Sequence, residues 1–206
     1  MENSHHYSSD WIHKLETENH WRYYWHQQKI MEGLIQPTDQ ILEIGVGSKF
    51  TSNYLKSRNF NVKTIDIDAE KSPDIVANII DYQSNERFDH ILAFEIFEHL
   101  PFDAFEKAIH NLSAICNKTM FVSLPRNEKL RFRLSLNLKL FKINDFQIAT
   151  KRNKILTKLH FWEIDYKSYT RKRIIEVFLS NGFQLKAHHK FQSLCYFVFQ
   201  KVDNAQ

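Results

Sequence analysis

Short apolar runs alternate with longer amphipathic segments along most of the chain from residue 40 onward. This alternation is typical of a parallel sheet that is covered by helices on both faces. Apolar runs too short for helices predict five strands, at about 40–45, 61–66, 74–78, 88–94 and 117–124. The amphipathic stretches predict helices near 50–58, 102–115 and 168–181.

The end of the chain departs from this alternation. Gly182 closes the last predicted helix, and two apolar segments, 183–190 and 194–202, follow with only a short turn between them. This is the spacing of a hairpin, so we predict that the last two strands pair antiparallel. The expected result is a mostly parallel sheet with one antiparallel strand near its edge.

The first predicted strand runs directly into two glycines, Gly45 and Gly47. An apolar run that is interrupted by one acid and stopped by glycines predicts a buried strand that enters a tight turn. Because glycine has no Cβ, main-chain N–H groups there can approach a ligand closely. The helix that begins near Phe50 points its positive N-terminal end at the same place. We therefore expect a ligand on this turn.

Two acids at the end of the second strand extend this expectation. Residues 61–68 end in Asp66 and Asp68, near the ~20-residue interval that places an acid on ribose hydroxyls in dinucleotide-type folds. A carboxylate matches a vicinal diol because it can accept two hydrogen bonds. We expect Asp66 to bind the ribose and Asp68 to lie at the surface. The ligand is then either a nicotinamide or flavin dinucleotide or S-adenosylmethionine.

Two segments resemble class I S-adenosylmethionine-dependent methyltransferases. The sequence Ile-Leu-Glu-Ile-Gly-Val-Gly at 41–47, with Glu43 two residues before the first glycine, is similar to their first motif. Residues 88–101 resemble the fourth strand and following turn of their small-molecule branch, of the type 11 and type 23 kind. The third glycine is missing. Lys49 stands where the methyltransferase motif usually has it, and Phe50 stands where the dinucleotide motif would.

The resemblance implies a Rossmann-like three-layer α/β sandwich with a mostly parallel seven-stranded sheet and an antiparallel last strand. It also implies a single domain over residues 1–206. Within it, N-terminal helices are expected in residues 1–38, and a lid or acceptor insertion is expected at 126–160.

The predicted N-terminal helices are residues 10–16 and 18–30, which lack internal glycine and proline. Their aromatic residues allow two interpretations. Trp21, Tyr24 and Trp25 either pack the helix onto the sheet, or one of them closes over the cofactor, as the resembled family implies.

By the same resemblance, S-adenosyl-L-methionine is the expected cofactor. Gly45 and Gly47 let the main chain pass its methionine end and ribose, and Glu43 holds the amino group or orders the turn. Asp66 accepts hydrogen bonds from the ribose. The adenine side and the methionine or acceptor side are lined by Asn78, Ile79, Phe94 and Glu95. Asn78 replaces the acid usual at its position, although an amide can also bond the adenine edge.

Two histidines are the candidate catalytic residues. Methyl transfer from a sulfonium is a direct displacement, so the protein mainly aligns the acceptor and excludes water, and no covalent protein nucleophile is needed. His99 and His160 are candidate bases for an acceptor hydroxyl or amine, although a lone histidine is more often structural. The resembled enzymes bring the segment around His160 over the acceptor.

The insertion at 126–160 contains a segment, 129–140, in which polar and apolar residues alternate over twelve positions, as in a strand. Its leucines also fit a helical stripe, so the sequence leaves both structures open. The polar side is basic, with Lys129, Arg131, Arg133 and Lys139. Two interpretations are open: the lid suits a small-molecule acceptor that is amphipathic or membrane-associated, or its leucines pack on the core and its cations are merely solvated.

The composition sets limits on the class of protein. The 206 residues are 43% hydrophobic, which suffices for one ordinary domain. Cys116 and Cys195 lack paired spacing, so neither a disulfide framework nor a metal site is expected. Residues 1–10 are polar and no run reaches the ~18 apolar residues of a membrane span, so a soluble, cytoplasmic protein is expected.

The sequence also lacks the motifs of base-modifying enzymes. It has no Asn/Asp-Pro-Pro-aromatic motif and no Pro-Cys pair, and a net charge of +4 is small for a nucleic-acid footprint. Nucleic-acid acceptors are therefore not expected. The alternative from another class is a catalytically inactive nucleoside-binding module of the same fold, which the missing third glycine permits.

Overall fold

The computed structural model describes Lys14 and residues 17–202, so the predicted helix at 10–16 lies outside the described residues apart from Lys14. The helices of the described part are α1 (Glu18–Met31), α2 (Phe50–Ser57), α3 (Phe102–Ile115) and α4 (Arg171–Ser180). Its strands are β1 (Gln40–Ile44), β2 (Asn61–Asp66), β3 (Ile75–Val76), β4 (Phe88–Phe94), β5 (Cys116–Pro125), β6 (Glu128–Leu138), β7 (Phe141–Lys151), β8 (Phe183–Phe191) and β9 (Leu194–Lys201).

Seven of these strands form one sheet in the order β3-β2-β1-β4-β5-β9-β8. Strands β1 to β5 pair in parallel, whereas β9 pairs antiparallel with both β5 and β8. The predicted mostly parallel sheet with an antiparallel last strand is confirmed. The strand order reverses between β1 and β4, and in open α/β sheets ligands bind at the carboxyl ends of the strands beside such a reversal.

Helices cover both faces of this sheet and make it the middle of three layers. On one face, α3 and α4 pack through Phe105, Ile109 and Phe178 against the central strands, and the buried Trp162 joins this cluster. On the other face, Met31 of α1 and Leu55 of α2 pack on β1, β2, β4 and β5. No helix among the described residues combines the length and hydrophobicity needed to cross a bilayer.

Two elements differ in extent from the sequence prediction. Strand β3 begins at Ile75 because the Asp74 side chain, rather than a sheet ladder, accepts hydrogen bonds from the Thr64 N–H (2.8 Å) and hydroxyl (2.9 Å), and the strand ends at Val76. Helix α4 begins at Arg171 instead of near 168, since the Thr170 hydroxyl caps it by accepting from the Arg173 N–H at 3.2 Å.

The structure decides between the two interpretations of residues 129–140. Residues 129–138 lie in β6, which pairs antiparallel with β7 in a separate two-stranded sheet, and residues 139–140 form the turn between the two strands. Opposed pairs such as Phe132–Ile148, Leu134–Phe146 and Leu138–Phe141 place apolar side chains on one face of this hairpin. The segment alone is ambiguous because a partner strand, which only the chain beyond residue 140 supplies, is what stabilises the extended form.

Candidate functional site

A cavity of about 630 Å³ lies at the carboxyl ends of β1, β2 and β4. All ten residues singled out from the sequence line it: Glu43, Gly45, Gly47, Asp66, Asn78, Ile79, Phe94, Glu95, His99 and His160. They come from five separate stretches of the chain. Because parallel strands end at the same edge of a sheet, the loops that follow them converge on one place.

The glycine turn after β1 forms the floor of this cavity, and its two glycines do different things. Both have positive φ, +71° at Gly45 and +48° at Gly47, the region that glycine enters without steric cost. A Cβ built on Gly45 would lie 2.1 Å from Ile96 Cδ1, whereas one on Gly47 has no atom within 4 Å. Gly45 thus permits close packing behind the turn, and Gly47 leaves its surroundings open.

Lys49, at the position of the missing third glycine, keeps the conformation that glycine favours. Its φ is 61° and its ψ is 13°, and it is the N-cap residue of α2. A lysine holds this left-handed backbone at a cost of roughly 1–2 kcal/mol. Its Nζ donates to the Ser72 carbonyl at 3.0 Å. The turn therefore has a left-handed backbone at this position although the residue is a lysine.

Glu43 lies beneath this turn and is buried. Burial raises the pKa of its carboxyl group to about 7, while hydrogen bonds from the Ser52 side chain and backbone and the charge of Lys56 act to lower it. Its Oε2 has no hydrogen-bond partner among the described residues. A buried carboxylate oxygen without a partner on the wall of a cavity is suited to accept a hydrogen bond from a bound cationic or N–H group.

The raised pKa of Glu43 gives a testable effect on stability. Below about pH 4.5 both the folded and the unfolded chain hold this proton, and as the pH rises to about 7 only the folded chain keeps it. The free energy of unfolding should therefore fall across this interval, by up to roughly 3 kcal/mol for this group. We expect Glu43→Gln to flatten the dependence of stability on pH, measured by urea unfolding at pH 5 and pH 7.5. An identical slope in the parent and the variant would contradict this.

Asp66 ends β2 on the opposite side of the turn. Its Oδ2 accepts hydrogen bonds from the Val46 N–H at 3.0 Å and from Lys71 Nζ at 3.3 Å, and its Oδ1 accepts from the Asp68 N–H at 2.9 Å. These donors fix the carboxylate against the glycine turn. Lys71 is the one donor on a flexible side chain, so its displacement frees a lone pair for another donor.

Asp68 has a different role from Asp66. Its Oδ1 accepts from the Glu70 N–H at 2.9 Å and caps the short 3₁₀ turn that begins at Ala69. Asp68 is absent from the lining of the cavity. The two acids at the end of β2 therefore differ in position, with Asp66 on the cavity and Asp68 outside it.

The loop after β3 supplies the wall next to Asp66. The Asn78 side chain accepts from the Ile80 N–H at 3.0 Å, which shapes the loop, and Ile79 is buried. Ile67 lines the cavity as well and is 45% exposed. We did not select Ile67 from the sequence, although an apolar residue between two acids was a signal available there. Two isoleucines and an amide form a slot suited to a flat heteroaromatic ring.

The turn after β4 supplies acidic side chains to one end of the cavity. Glu95 has a positive φ of 56°, a strained conformation for a non-glycine residue, and burial raises the pKa of its side chain to about 7. Glu98, also on the cavity, is buried, and burial followed by the nearby charge of Glu95 raises its pKa well above the ordinary value. Glu98 was not selected from the sequence, where its position next to His99 was the only signal.

The segment 156–163 closes over this end and brings His160 to His99. Two hydrogen bonds attach it to the turn after β4: the Phe161 N–H donates to the Glu98 carbonyl (2.8 Å), and the Trp162 indole N–H donates to the Leu100 carbonyl (3.0 Å). The centroids of the two imidazole rings lie 5.0 Å apart, and the rings are arranged edge to face. Leu156, Thr157 and His160 of this segment line the cavity, and none of the β6 and β7 residues whose side chains the structure describes does so.

Helix α1 covers the remaining side of the cavity through His20, Tyr23, Tyr24 and Gln27. Tyr24 stacks on Phe50 with ring centroids 4.3 Å apart, and its hydroxyl is 2.9 Å from the Ser48 hydroxyl. It therefore both packs α1 onto α2 and lines the cavity. Trp21 and Trp25 are half exposed and do not line it. No local sequence pattern identifies His20, Tyr23 and Gln27, because these residues reach the cavity only through the docking of a separate helix.

No protein family and no curated protein matches the sequence. The fold does match solved structures. The N-methyltransferase NodS from Bradyrhizobium japonicum WM9, in complex with S-adenosyl-L-homocysteine, is 11% identical, with a TM-score of 0.61 over 94% of this chain and 93% of that one.

Two further structures show the same fold. The 1,6-didemethyltoxoflavin-N1-methyltransferase from Burkholderia thailandensis is 12% identical, with a TM-score of 0.58 over 90% of this chain and 84% of that one. Magnesium protoporphyrin IX methyltransferase from Synechocystis PCC 6803 is 11% identical, with a TM-score of 0.57 over 89% and 79%. The chain thus has the Rossmann-like fold of class I methyltransferases.

Proposed function

We propose that the protein is an S-adenosylmethionine-dependent methyltransferase that acts on an oxygen or nitrogen of a small-molecule acceptor. The observation that supports this most is the convergence of a glycine turn, a ribose-side acid and an acidic, histidine-containing end on one cavity. The neighbouring structures were solved with S-adenosylhomocysteine or S-adenosylmethionine in this same fold.

The cavity fits this cofactor in its chemistry. The partnerless Glu43 Oε2 suits an ammonium group, and the open space at Gly47 allows close approach to the main chain. Asp66, once Lys71 moves aside, accepts from a ribose diol, and Ile67, Asn78 and Ile79 are suited to the adenine.

S-adenosylmethionine, when bound, supplies an electrophilic methyl group on a sulfonium. The chain's own contribution is to orient the acceptor and to exclude water, which accounts for the buried character of the Glu95 and Glu98 end. His99 and His160 line this end of the cavity, and we propose them as the candidate proton acceptors.

A thermal-shift assay tests the cofactor assignment. We expect S-adenosylhomocysteine to raise the melting temperature, because a ligand that binds only the folded state stabilises it by mass action. NAD(H) and NADP(H) are the controls and should leave it unchanged. Protection by a nicotinamide dinucleotide and none by S-adenosylhomocysteine would reject the proposal. If S-adenosylhomocysteine binds, release of it from S-adenosylmethionine in an acceptor screen then distinguishes an enzyme from an inactive binding module.

The exposed residues of the β6–β7 hairpin are evidence for a finer proposal, in which the acceptor is amphipathic and is presented at a lipid surface. All residues of the hairpin's apolar face are exposed, and Leu140 at the tip is 97% exposed. The residues of this face are Leu130, Phe132, Leu134, Leu138, Leu140, Phe141, Phe146 and Ile148. Arg133 instead points back toward the domain, with its guanidinium 4.9 Å from the centroid of the Phe191 ring. Lys129 and Arg131 flank Leu130 on β6, and Lys139 lies in the turn between Leu138 and Leu140. Apolar groups flanked by cations are complementary to an anionic bilayer.

Vesicle sedimentation tests this interpretation of the hairpin. We expect the full chain to sediment with phosphatidylglycerol vesicles, and Leu140→Glu to weaken the partition by about tenfold or more, because burial of one leucine contributes roughly 1.5–3 kcal/mol. Leu179→Glu, at a half-exposed leucine of α4, is the matched control and should bind like the parent. Equal vesicle binding by the two variants, or no vesicle binding by the parent, would disprove the proposal of a lipid surface. Dimerisation of the parent that Leu140→Glu abolishes would identify a second copy as the partner instead.

A further inference from the structure

Three side chains at the acceptor end form a cluster with the donor set of a metal site. Glu98 and His99 lie in the 3₁₀ turn Phe97–His99 after β4, and His160 comes from the segment that closes over it. One carboxylate oxygen and one ring nitrogen from each histidine lie within 4.8 Å of one another. To place a cation 2.0–2.2 Å from each of these three ligand atoms, the side chains would need to move by only about an ångström.

Packing alone does not explain why a carboxyl group is buried at the position of Glu98. Its side chain is 1% exposed, and its Oε2 has no hydrogen-bond partner within residues 17–202. Glu95 and Glu163 are close enough to add their own negative charge to the region. Ionisation of a buried carboxyl group is costly unless a cation or a set of donors compensates the charge. A bound cation supplies that compensation.

Each histidine is oriented by an acceptor on its Nδ1. His160 Nδ1 donates to Glu163 Oε1 at 3.0 Å, and His99 Nδ1 donates to the Leu159 carbonyl at 3.0 Å. A carbonyl or carboxylate oxygen only accepts, so each neutral ring carries its proton on Nδ1 and its lone pair on Nε2. Metal-binding histidines in proteins are characteristically held in this way by a carboxylate or a main-chain carbonyl.

Glu163 is itself fixed, which makes it a competent positioning group. It is fully buried and accepts hydrogen bonds from Asn127 Nδ2 (2.9 Å), Arg152 Nη2 (2.7 Å) and the Leu156 N–H (2.8 Å). These donors hold one orientation of the carboxylate while it receives the proton of His160. The segment that carries His160 therefore has a defined position relative to Glu98 and His99.

We propose that Glu98, His99 and His160 bind a divalent transition-metal cation, with Glu163 and the Leu159 carbonyl as the groups that position the two histidines. Two imidazoles and one carboxylate suit Zn²⁺, Fe²⁺, Mn²⁺ or Co²⁺, whereas Mg²⁺ and Ca²⁺ prefer oxygen ligands alone. Three protein ligands at the wall of a cavity leave coordination positions open for a small molecule.

The site extends the proposed function, and this step rests on it. A cation at the acceptor end stabilises the ionised form of a bound hydroxyl or phenol, so the preferred acceptor would be an oxygen rather than an amine. His99 and His160 then act together as ligands, not as separate proton acceptors. Zinc binding itself does not depend on methyl transfer.

Zinc titration of the full chain tests the proposal. Protein freed of metal with EDTA is titrated with ZnCl₂ in competition with a chromophoric zinc chelator. We expect one equivalent to bind with a Kd on the order of 0.1 µM or below. Glu98→Gln and His160→Ala should weaken binding by more than about 100-fold, because changes to positioning groups alone cost 10–100-fold. His110→Ala, on the exposed surface of α3 beside Asn181, is the control and should match the parent.

Several outcomes would overturn the site. These are the absence of zinc binding by the parent, unchanged zinc affinity in Glu98→Gln, or loss of zinc in His110→Ala. Glu98→Gln is nearly isosteric, so it decides the matter even if His160→Ala fails to fold, and a thermal melt checks each variant. Calorimetry with S-adenosylhomocysteine on the same samples keeps the two proposals separate. Binding of S-adenosylhomocysteine without binding of zinc would reject the metal site and leave the proposed function. Binding of zinc without binding of S-adenosylhomocysteine would reject the proposed function and leave the metal site.

Discussion

Asp66→Ala is expected to weaken binding of S-adenosylhomocysteine by about 10- to 150-fold, the 1.5–3 kcal/mol of hydrogen bonds to a charged acceptor. The Asp66 carboxylate lies on the cavity and is already oriented by the Val46 and Asp68 N–H groups. The alanine variant removes the acceptor that a ribose diol requires. Isothermal titration calorimetry at fixed pH measures the effect.

Asp68→Ala is the matched control for this experiment. It removes the same charge two residues away, but its carboxylate caps the turn at Ala69 and does not line the cavity. Its affinity for S-adenosylhomocysteine should stay within about twofold of the parent, because exposed charges contribute little at this distance. A change of less than twofold in Asp66→Ala would disprove the ribose assignment, and a larger loss in Asp68→Ala would transfer it to Asp68.

Gly45→Ala is expected to lower the free energy of unfolding by about 2–3 kcal/mol, or the melting temperature by roughly 5–10 °C. The backbone there has a φ of +71°, which costs an alanine about 1–2 kcal/mol, and the new Cβ would lie 2.1 Å from Ile96 Cδ1. Ile96 must then leave its rotamer, which costs about 0.5–1.5 kcal/mol more. Because Ile96 also lines the cavity, the affinity for S-adenosylhomocysteine should fall in the same variant.

Two further variants separate the steric from the backbone contribution. Gly47→Ala also requires a positive φ, but no atom lies within 4 Å of its Cβ, so only the backbone cost should remain. Ile96→Val removes the Cδ1 atom, and combined with Gly45→Ala it should recover the steric part, which a double-mutant cycle measures. Equal destabilisation in Gly45→Ala and Gly47→Ala, with no coupling to Ile96, would show that the close contact does not matter.

The strands, and the position on the cavity of the residues that follow β1 and β2, were predictable because their signals are local. Residues 40–47 and 61–68 each show a buried strand that stops at glycines or acids, and parallel strands in such a fold end at one edge of the sheet. The predicted place of Asp66 therefore needed no knowledge of long-range contacts. Lys49 shows the limit of a motif, since a lysine has a left-handed backbone at the position where the motif leads one to expect glycine.

The boundaries and the insertion were less predictable because competing contacts set them. Asp74 shortened β3 through its side chain, and Thr170 determined where α4 begins. Residues 129–140 satisfy both a helical and an extended period, so the choice depended on pairing with β7. The cavity wall formed by α1 has no local signal, since His20, Tyr23 and Gln27 reach the site only through the docking of that helix.

The sequence by itself determined the succession of the helices and of the seven main-sheet strands along the chain, the glycine turn and the acid at the end of β2, because hydrophobic period and turn chemistry are properties of neighbouring residues. Only the tertiary structure brought Glu98 and His99 together with His160, about sixty positions along the chain. Hydrogen bonds from the Phe161 N–H and the Trp162 indole to the turn after β4 create that proximity. Such contacts depend on how a long connection folds back, so a cluster built from them is absent from any local pattern.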